Sequence, residues 1–419
     1  MRADQLRAAM VDGLLAAGRI SSAPVERAFR SVPRHLFLPD EPAARAYEDE
    51  AVLTKWENGV AVSSASQPSM MAIMLEQLAL RPGHRVLEIG AGTGYNAALM
   101  AEMVGPSGSV VAMDIDEDLV QGAAEHLAAA GRSATAGQVT LVAADGALGL
   151  PERAPYDRVV LTVGSWDIQP AWWHQLVPGG RLLLPLTVRG SQLSVALDLL
   201  PGPPAHLSSA SVRSCAFVRL RGLGAGPESS RSLGVDGVTV QTAERRELDA
   251  AGFRALLGEP GRQRDSRVRL AALDLWDGLG LWLAVREPDV CRLLVSADAS
   301  ARTPSLRPAG MDGGTVALIA ERGMAVLVPK DDAPSELDRR FPVAVRPYGS
   351  DGAAAAERLA ALLEDWVDAG RPSAAELRLR AYPRDAEIAA NGSVVHKAQS
   401  LLVLDWPDNP VARGHILNQ

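Results

Sequence analysis

Between residues 84 and 186 the chain alternates short apolar runs with amphipathic ones, and few architectures accommodate that order. The apolar runs "HRVLEIG" (84–90), "GSVVAMDI" (108–115), "QVTLVAAD" (138–145), "YDRVVLTV" (156–163) and "GRLLLPL" (180–186) have strand length, and helical spacing fills residues 95–104, 117–130 and 170–176. Apolar strands joined through helices predict a parallel sheet covered on both faces, the Rossmann-like doubly wound α/β class. Two further alternating runs, "QLSVALDLL" (192–200) and "CAFVRLRG" (215–222), read as strands closing the sheet edge across "PGPPAHLSS". Ahead of the sheet, residues 3–17 and a segment opened by Pro24 read as packing helices.

The chain is 419 residues long, which allows two to three domains. We place the first domain at 1–222, with helices in 1–50 and the core in 51–222. Gly, Ser and Pro crowd "GLGAGPESSRS", which marks 223–234 as a linker. Residues 235–419 read as a second, mostly β, mixed α/β domain. Its strand-like runs include "LDLWDGLGLWLAV", "GGTVALIAE", "GMAVLVPK" and "QSLLVLDW", beside one amphipathic helix at 353–370. The basic run "LRLRAYPRD" (377–385) reads as a solvated edge strand.

Chemistry concentrates after the first strand. Gly90, Gly92 and Gly94 form a Gly-x-Gly-x-Gly turn, where the backbone approaches a ligand closely and a helix N-terminus offers free N–H donors. A purely structural turn uses glycine there too. Asp114 ends the next strand about twenty residues on, placed to accept the hydroxyls of a ribose. Asp145 and Gly146 end the third, where a short acid and a glycine suit an adenine amine. Glu88, beside the loop, would repel a pyrophosphate but can face a cationic amino group. The pattern therefore favours S-adenosylmethionine over a nicotinamide dinucleotide.

Other classes are disfavoured. A net charge of −8 argues against a nucleic-acid partner. Two cysteines and seven scattered histidines show no metal-ligand spacing, and thiols this sparse fit a reducing cytoplasm. No 18-residue apolar run or signal-peptide core occurs, so neither a membrane partner nor export is expected. Oligomeric state is not legible.

"RHLFLPD", "AYED", "SASQP", "RVLEIGAGTGYNAALMAE", "AADG", "APYDRVVLTVG" and "LVPGGRLLLPL" occur in the order in which the protein-L-isoaspartate (D-aspartate) O-methyltransferase family carries its motifs. The resemblance covers about residues 15–222. It implies S-adenosylmethionine as methyl donor, S-adenosylhomocysteine as product, and a peptide or protein substrate bearing Asp or isoaspartate. It also implies that Ser66 donates to the substrate carboxylate. Ser63, Ser64, Gln67, Glu88, the three loop glycines, Asp114, Ile115, Asp145 and Gly146 would then border the cofactor. A carboxylate is already ionised at neutral pH, so alignment rather than a base is what such chemistry needs.

The chain departs from the family pattern in two places. Ser64 and Ala65 stand where Thr and Ile are usual in Thr-Ile-Ser-Gln-Pro. Upstream, Thr54, Lys55 and Trp56 replace the usual approach, which reads either as altered substrate contacts or as an exposed loop. Ser66 before Pro68 also reads as a helix cap. Trp166, Trp172 and Trp173 read as core residues.

With its extension, the chain resembles C-terminally extended members associated with ribosomally synthesised modified peptides of lanthipeptide, lasso or graspetide type. That implies esterification of an aspartyl side chain, leading to aspartimide and isoaspartate, with residues 235–419 recognising the substrate. The alternatives are a housekeeping isoaspartyl repair methyltransferase and a non-catalytic cofactor- or peptide-binding module.

Overall fold

A computed structural model describes residues 2–132, 138–227, 230–232, 235–241, 250–271, 274–310, 313–330 and 340–406. Helices α1 (Ala3–Ala16), α2 (Ala23–Ser31) and α3 (Ala43–Ala46) lead into a hairpin of β1 (Val52–Glu57) and β2 (Val60–Ala65). The alternating unit follows as α4 (Pro68–Leu78), β3 (Arg85–Ile89), α5 (Tyr95–Val104), β4 (Ser109–Asp114), α6 (Glu117–Ala129), β5 (Val139–Ala143), β6 (Tyr156–Leu161) and α7 (Pro170–His174). It ends in the long strands β7 (Leu176–Val188), β8 (Ser191–Leu200) and β9 (His206–Ser214). β3 lies between β4 and β6 with all neighbours parallel as far as β5 and β7, and β8 and β9 continue antiparallel. The expected doubly wound sheet is therefore present.

Its outer edge differs from expectation. Residues 215–222 form no strand, whereas β9 covers His206–Ser214 and so takes in the end of the expected connection "PGPPAHLSS". The run "HLSSASVRS" is mostly small and polar, so it lacks the β-branched signal of a strand interior. It pairs because β8 offers a full edge.

The later part begins with β10 (Ser230–Ser232), β11 (Val238–Gln241), α8 (Ala250–Leu257), β12 (Arg264–Leu270), α9 (Gly280–Arg286), β13 (Val290–Val295) and α10 (Ala297–Arg302). Next come β14 (Gly314–Ala320), β15 (Gly323–Pro329), β16 (Phe341–Gly349) and α11 (Gly352–Asp368), then β17 (Arg378–Pro383), β18 (Ser393–His396) and β19 (Ser400–Asp405). β10 to β16 make a seven-stranded antiparallel sheet. α11 buries Ala355, Ala356, Leu359, Leu363 and Trp366, a helical stripe. "LDLWDGLGLWLAV", expected as a strand, is a π-helical turn at Leu275–Leu279 running into α9. A continuous apolar run has the same appearance in a buried strand and a buried helix.

Strand pairing crosses the expected boundary between 1–222 and 235–419. β17 pairs with β9 and with β19, so the first sheet has ten strands in the order β18-β19-β17-β9-β8-β7-β6-β3-β4-β5. The basic strand expected at an edge is thus interior, because Leu379 and Ala381 alternate inward between its arginines. One apolar cluster runs from Leu87 and Leu184 through Trp282, Leu327 and Trp366 to Leu402, joining both sheets.

The expected linker is structural where it is described. Gly222–Gly224 is a 3-10 turn set against Asp145 and Ala147, and Ser230–Ser232 is the edge strand β10. Residues 228–229 and 233–234 of that expectation lie outside the described residues. The segment around residue 400 is also fastened to the first sheet. Asp167, 2% exposed, accepts from the Gln399 amide and the Ser400 hydroxyl, each at 2.6 Å. Lys397 Nζ donates to the Thr187 carbonyl at 3.0 Å and lies 4.3 Å from the centroid of Trp166.

Candidate active site

Open α/β sheets leave a crevice at the carboxyl ends of the strands where their order reverses. Here that point lies beside β3, and a cavity partly open to solvent occupies it. Gly90 has φ +101°, and a Cβ there would sit 2.6 Å from Thr162 Oγ1, so the turn admits only glycine. Asp114 lines the cavity, its Oδ2 accepting from the Gly92 amide at 2.9 Å and its Oδ1 meeting the Asp116 amide at 3.3 Å. Burial pushes its carboxyl up, against the pull of these backbone donors. Ile115, 39% exposed, and Gly146 line the same cavity. Gly94, expected beside the cofactor, does not line the cavity; it is the left-handed residue from which α5 starts, and Tyr95 and Asn96 complete this wall. Gly92 lies against the Ser64 carbonyl, which brings β2 to the loop.

β2 and the residue after its end supply Ser63, Ser64 and Ser66 to the opposite wall. Ser63 is buried and accepts from Thr54 Oγ1 at 3.0 Å, which ties the two hairpin strands by side chains as well as backbone. Among the described residues the Ser66 hydroxyl has no hydrogen-bond partner, whereas its carbonyl accepts from Arg34 Nη2 at 2.9 Å. The helix start that also explains Ser66 is built otherwise: Gln67 is the N-cap of α4, and the Ser69 amide is held by Asp49 Oδ1 at 2.8 Å.

Several expected residues lie elsewhere. Gln67 does not line the cavity; its Nε2 donates to the Asp49 carbonyl at 2.8 Å. Glu88 is fully buried behind the wall. Asn96 donates to one of its oxygens at 2.7 Å, the other has no partner, and burial pushes its carboxyl up to about 8. Asp145 is off the wall as well, because its Oδ1 accepts from Ala147 and its Oδ2 from Leu223 at 2.7 Å. A Cβ on Gly222, φ +76°, would overlap that carboxylate, so the acid and the glycine fix this turn together.

Thr54, Lys55 and Trp56 are in β1 rather than in a loop. Lys55 Nζ donates to Asp116 Oδ2 at 2.9 Å and to Asp118 Oδ1 at 2.7 Å, so its charge is matched within the chain. Trp56 is 58% exposed and projects from the hairpin. Trp172 and Trp173 are buried as expected, while Trp166 is half-buried under Lys397.

Two parts of the wall escape a sequence reading. Residues 217–221 border the cavity in extended form, clipped by the Gly164 amide to the Val218 carbonyl at 2.7 Å and the Leu220 amide to the Gly164 carbonyl at 2.9 Å. Arg221 donates from Nη2 to Asp116 at 2.5 Å and from Nη1 to Glu57 at 3.1 Å, fastening this segment to the hairpin. Burial alone would raise the Asp116 carboxyl, but Arg221 and Lys55 hold it below its ordinary value. Arg34, from the 3-10 turn Arg34–Phe37, is the second. The arginine of "RHLFLPD" carries no signal that it faces a cavity rather than solvent.

Among the described residues no group of His, Cys, Asp and Glu is arranged to hold a metal ion, and no helix is long and apolar enough to cross a membrane.

Comparison with known proteins points one way. The family described as protein-L-isoaspartate(D-aspartate) O-methyltransferase (PCMT) matches residues 5–222, just over half of the chain. The protein-L-isoaspartate O-methyltransferase of Hyperthermus butylicus is 39% identical over 226 residues, covering 52% of this chain and 89% of that protein. That of Methanopyrus kandleri is 39% identical over 186 residues, or 44% and 79% of the two chains. A solved protein-L-isoaspartate O-methyltransferase superposes over 96% of this chain and 99% of its own, with TM-score 0.50 and 23% identity. That likeness concerns the fold, and it extends to the part after residue 222.

Proposed function

The chain belongs to the protein-L-isoaspartate O-methyltransferase family, and on that premise we propose that it methylates the free carboxylate of isoaspartyl residues in proteins or peptides, using S-adenosylmethionine. The observation that carries this reading is the meeting of Ser66, the loop residues Gly90 to Thr93 and Asp114 on one cavity. The cavity suits the cofactor: a loop that tolerates no Cβ at Gly90 beside a carboxylate aimed by backbone donors. When bound, S-adenosylmethionine supplies a methyl group on a sulfonium, which an oxygen nucleophile takes without any proton transfer.

The chain's own residues then have three tasks. Asp114 receives ribose hydroxyls, with Ile115 and Gly146 bordering the adenine side. The loop amides and the first turn of α5 face the polar end of the cofactor. Ser66, whose hydroxyl has no partner among the described residues, donates to the substrate carboxylate and aligns it for in-line attack. Ser63 and Ser64 carry the hairpin side of this wall.

A second reading, esterification of an ordinary aspartyl side chain in one dedicated peptide, draws on Ser64 and Ala65 standing where the family has Thr and Ile. The extension does not favour it, since a solved protein-L-isoaspartate O-methyltransferase shares the fold over 96% of this chain. Incubation with S-adenosylmethionine and two peptides of one sequence, isoaspartyl and aspartyl, separates the readings. Ester formation on the isoaspartyl peptide alone is expected; ester on the aspartyl peptide, followed by loss of methanol, would transfer the assignment to the second reading.

A further inference from the structure

Arg34 is 1% exposed, and among the described residues it forms no ion pair. A buried cation without an anion is costly, and such groups are normally paired. Its donors are only partly used. Nε donates to the Ala46 carbonyl at 2.8 Å, and Nη2 to the Ser66 carbonyl at 2.9 Å and the Ala65 carbonyl at 3.4 Å. Nη1 meets only the thioether of Met71, at 3.5 Å, a weak acceptor. Asp49 acts on it electrostatically, yet that carboxylate lies on an exposed stretch and holds the Ser69 amide. Arg34 and Met71 both line the cavity, as does Ser66. Tyr95, whose ring centroid lies 5.1 Å from the guanidinium carbon, lines it too, and its buried hydroxyl has no partner among the described residues. An under-used guanidinium arm, a serine hydroxyl and a phenol thus share one corner in which, among the described residues, no carboxylate pairs with the guanidinium.

We propose that Arg34 is the counter-charge for the methyl-accepting carboxylate, its Nη1 taking the carboxylate that Ser66 also holds. The inference rests on the isoaspartyl reading above. The guanidinium keeps the acceptor ionised, and its Nη2 fixes the Ser66 carbonyl, so one side chain sets both the charge and the hydroxyl of the clamp. The corner then selects a carboxylate over a carboxamide, because a neutral amide leaves the buried cation unmatched.

The test is equilibrium binding, with S-adenosylhomocysteine present, of an isoaspartyl peptide and of the same peptide carrying a carboxamide in place of that carboxylate. The wild-type chain is expected to prefer the carboxylate by about 30-fold, as suits a hydrogen bond to a charged group. Arg34→Met should bring the ratio within about threefold, whereas loss of a merely structural prop would weaken both peptides alike and leave the ratio unchanged. Arg34→Lys, which keeps the charge but loses the fork, should fall between them, and it carries the test should the Met variant not fold. A wild-type ratio retained in the folded variants overturns this inference alone; a wild type that binds neither peptide overturns the isoaspartyl reading with it.

Discussion

The two sides of the cavity are held together by different means. The strand-end side is fixed by backbone: Gly90 by its φ and the lack of room for a Cβ, Asp114 by the Gly92 amide. The rim is fixed by charges, Lys55 and Arg221 converging on Asp116 while Asp118 and Glu57 complete the set. A backbone-built wall is insensitive to salt and intolerant of substitution. A rim built from partly exposed ion pairs is the reverse.

The most severe way to break the contrast is to remove what both sides stand on. A chain ending at residue 227 loses the strands that pair with β9 and the apolar cluster shared with the second sheet. It is expected to show no cooperative thermal transition, and a cooperative melt close to that of the whole chain would show the first sheet to be self-sufficient. Asp114→Ala strikes the strand-end side alone. Losing its hydrogen bonds to ribose should weaken S-adenosylmethionine by about 100-fold in calorimetry while leaving the peptide KM within about threefold. Ser66→Ala strikes the facing side. Turnover should drop by about 10- to 100-fold with cofactor affinity nearly unchanged, and the opposite split would move Ser66 to the cofactor's side.

Glu88 sharpens the contrast through pH. Its carboxyl is raised to about 8 in the folded chain, so above the unfolded value of about 4.3 the folded state retains a proton that the unfolded state releases. Stability therefore declines as pH rises from about 4.3 to about 8, then levels. Glu88→Gln removes the titration and should gain on the wild type, by an amount on the order of 2 kcal/mol, between pH 5 and pH 8 in the absence of cofactor. Parallel stability profiles would mean that this acid is matched in solution. The smallest effect is expected at the rim. Lys55→Met should lower kcat/KM only by about two- to threefold, an effect that 0.5 M salt reproduces in the wild type if the charges act as fasteners.

The same division explains what the sequence reveals. The sheet, the glycine loop and Asp114 follow from periodicity and from spacing along consecutive residues, which a linear reading handles well. Asp145 and Gln67 have the right types at the right places, yet their polar atoms face Leu223 and Asp49, partners from other elements. Residues 217–221 look like a strand because they alternate, and their actual support is Gly164, distant in sequence. Arg34 stands out in no sequence pattern, because nothing local says that it is enclosed. Even β9 depends on a neighbour supplied by the far part of the chain.

That dependence has a consequence during synthesis. The Leu379 amide meets the Ser209 hydroxyl across a separation of 170 residues. The catalytic sheet therefore leaves the ribosome with β9 as an open edge, and it keeps that edge until β17 has been made. Long-range pairing of this kind folds slowly and exposes unpaired backbone to neighbouring chains. A stalled or prematurely terminated product would thus be a sticky fragment rather than a small working methyltransferase, and production of the active protein should respond to chaperones and to temperature.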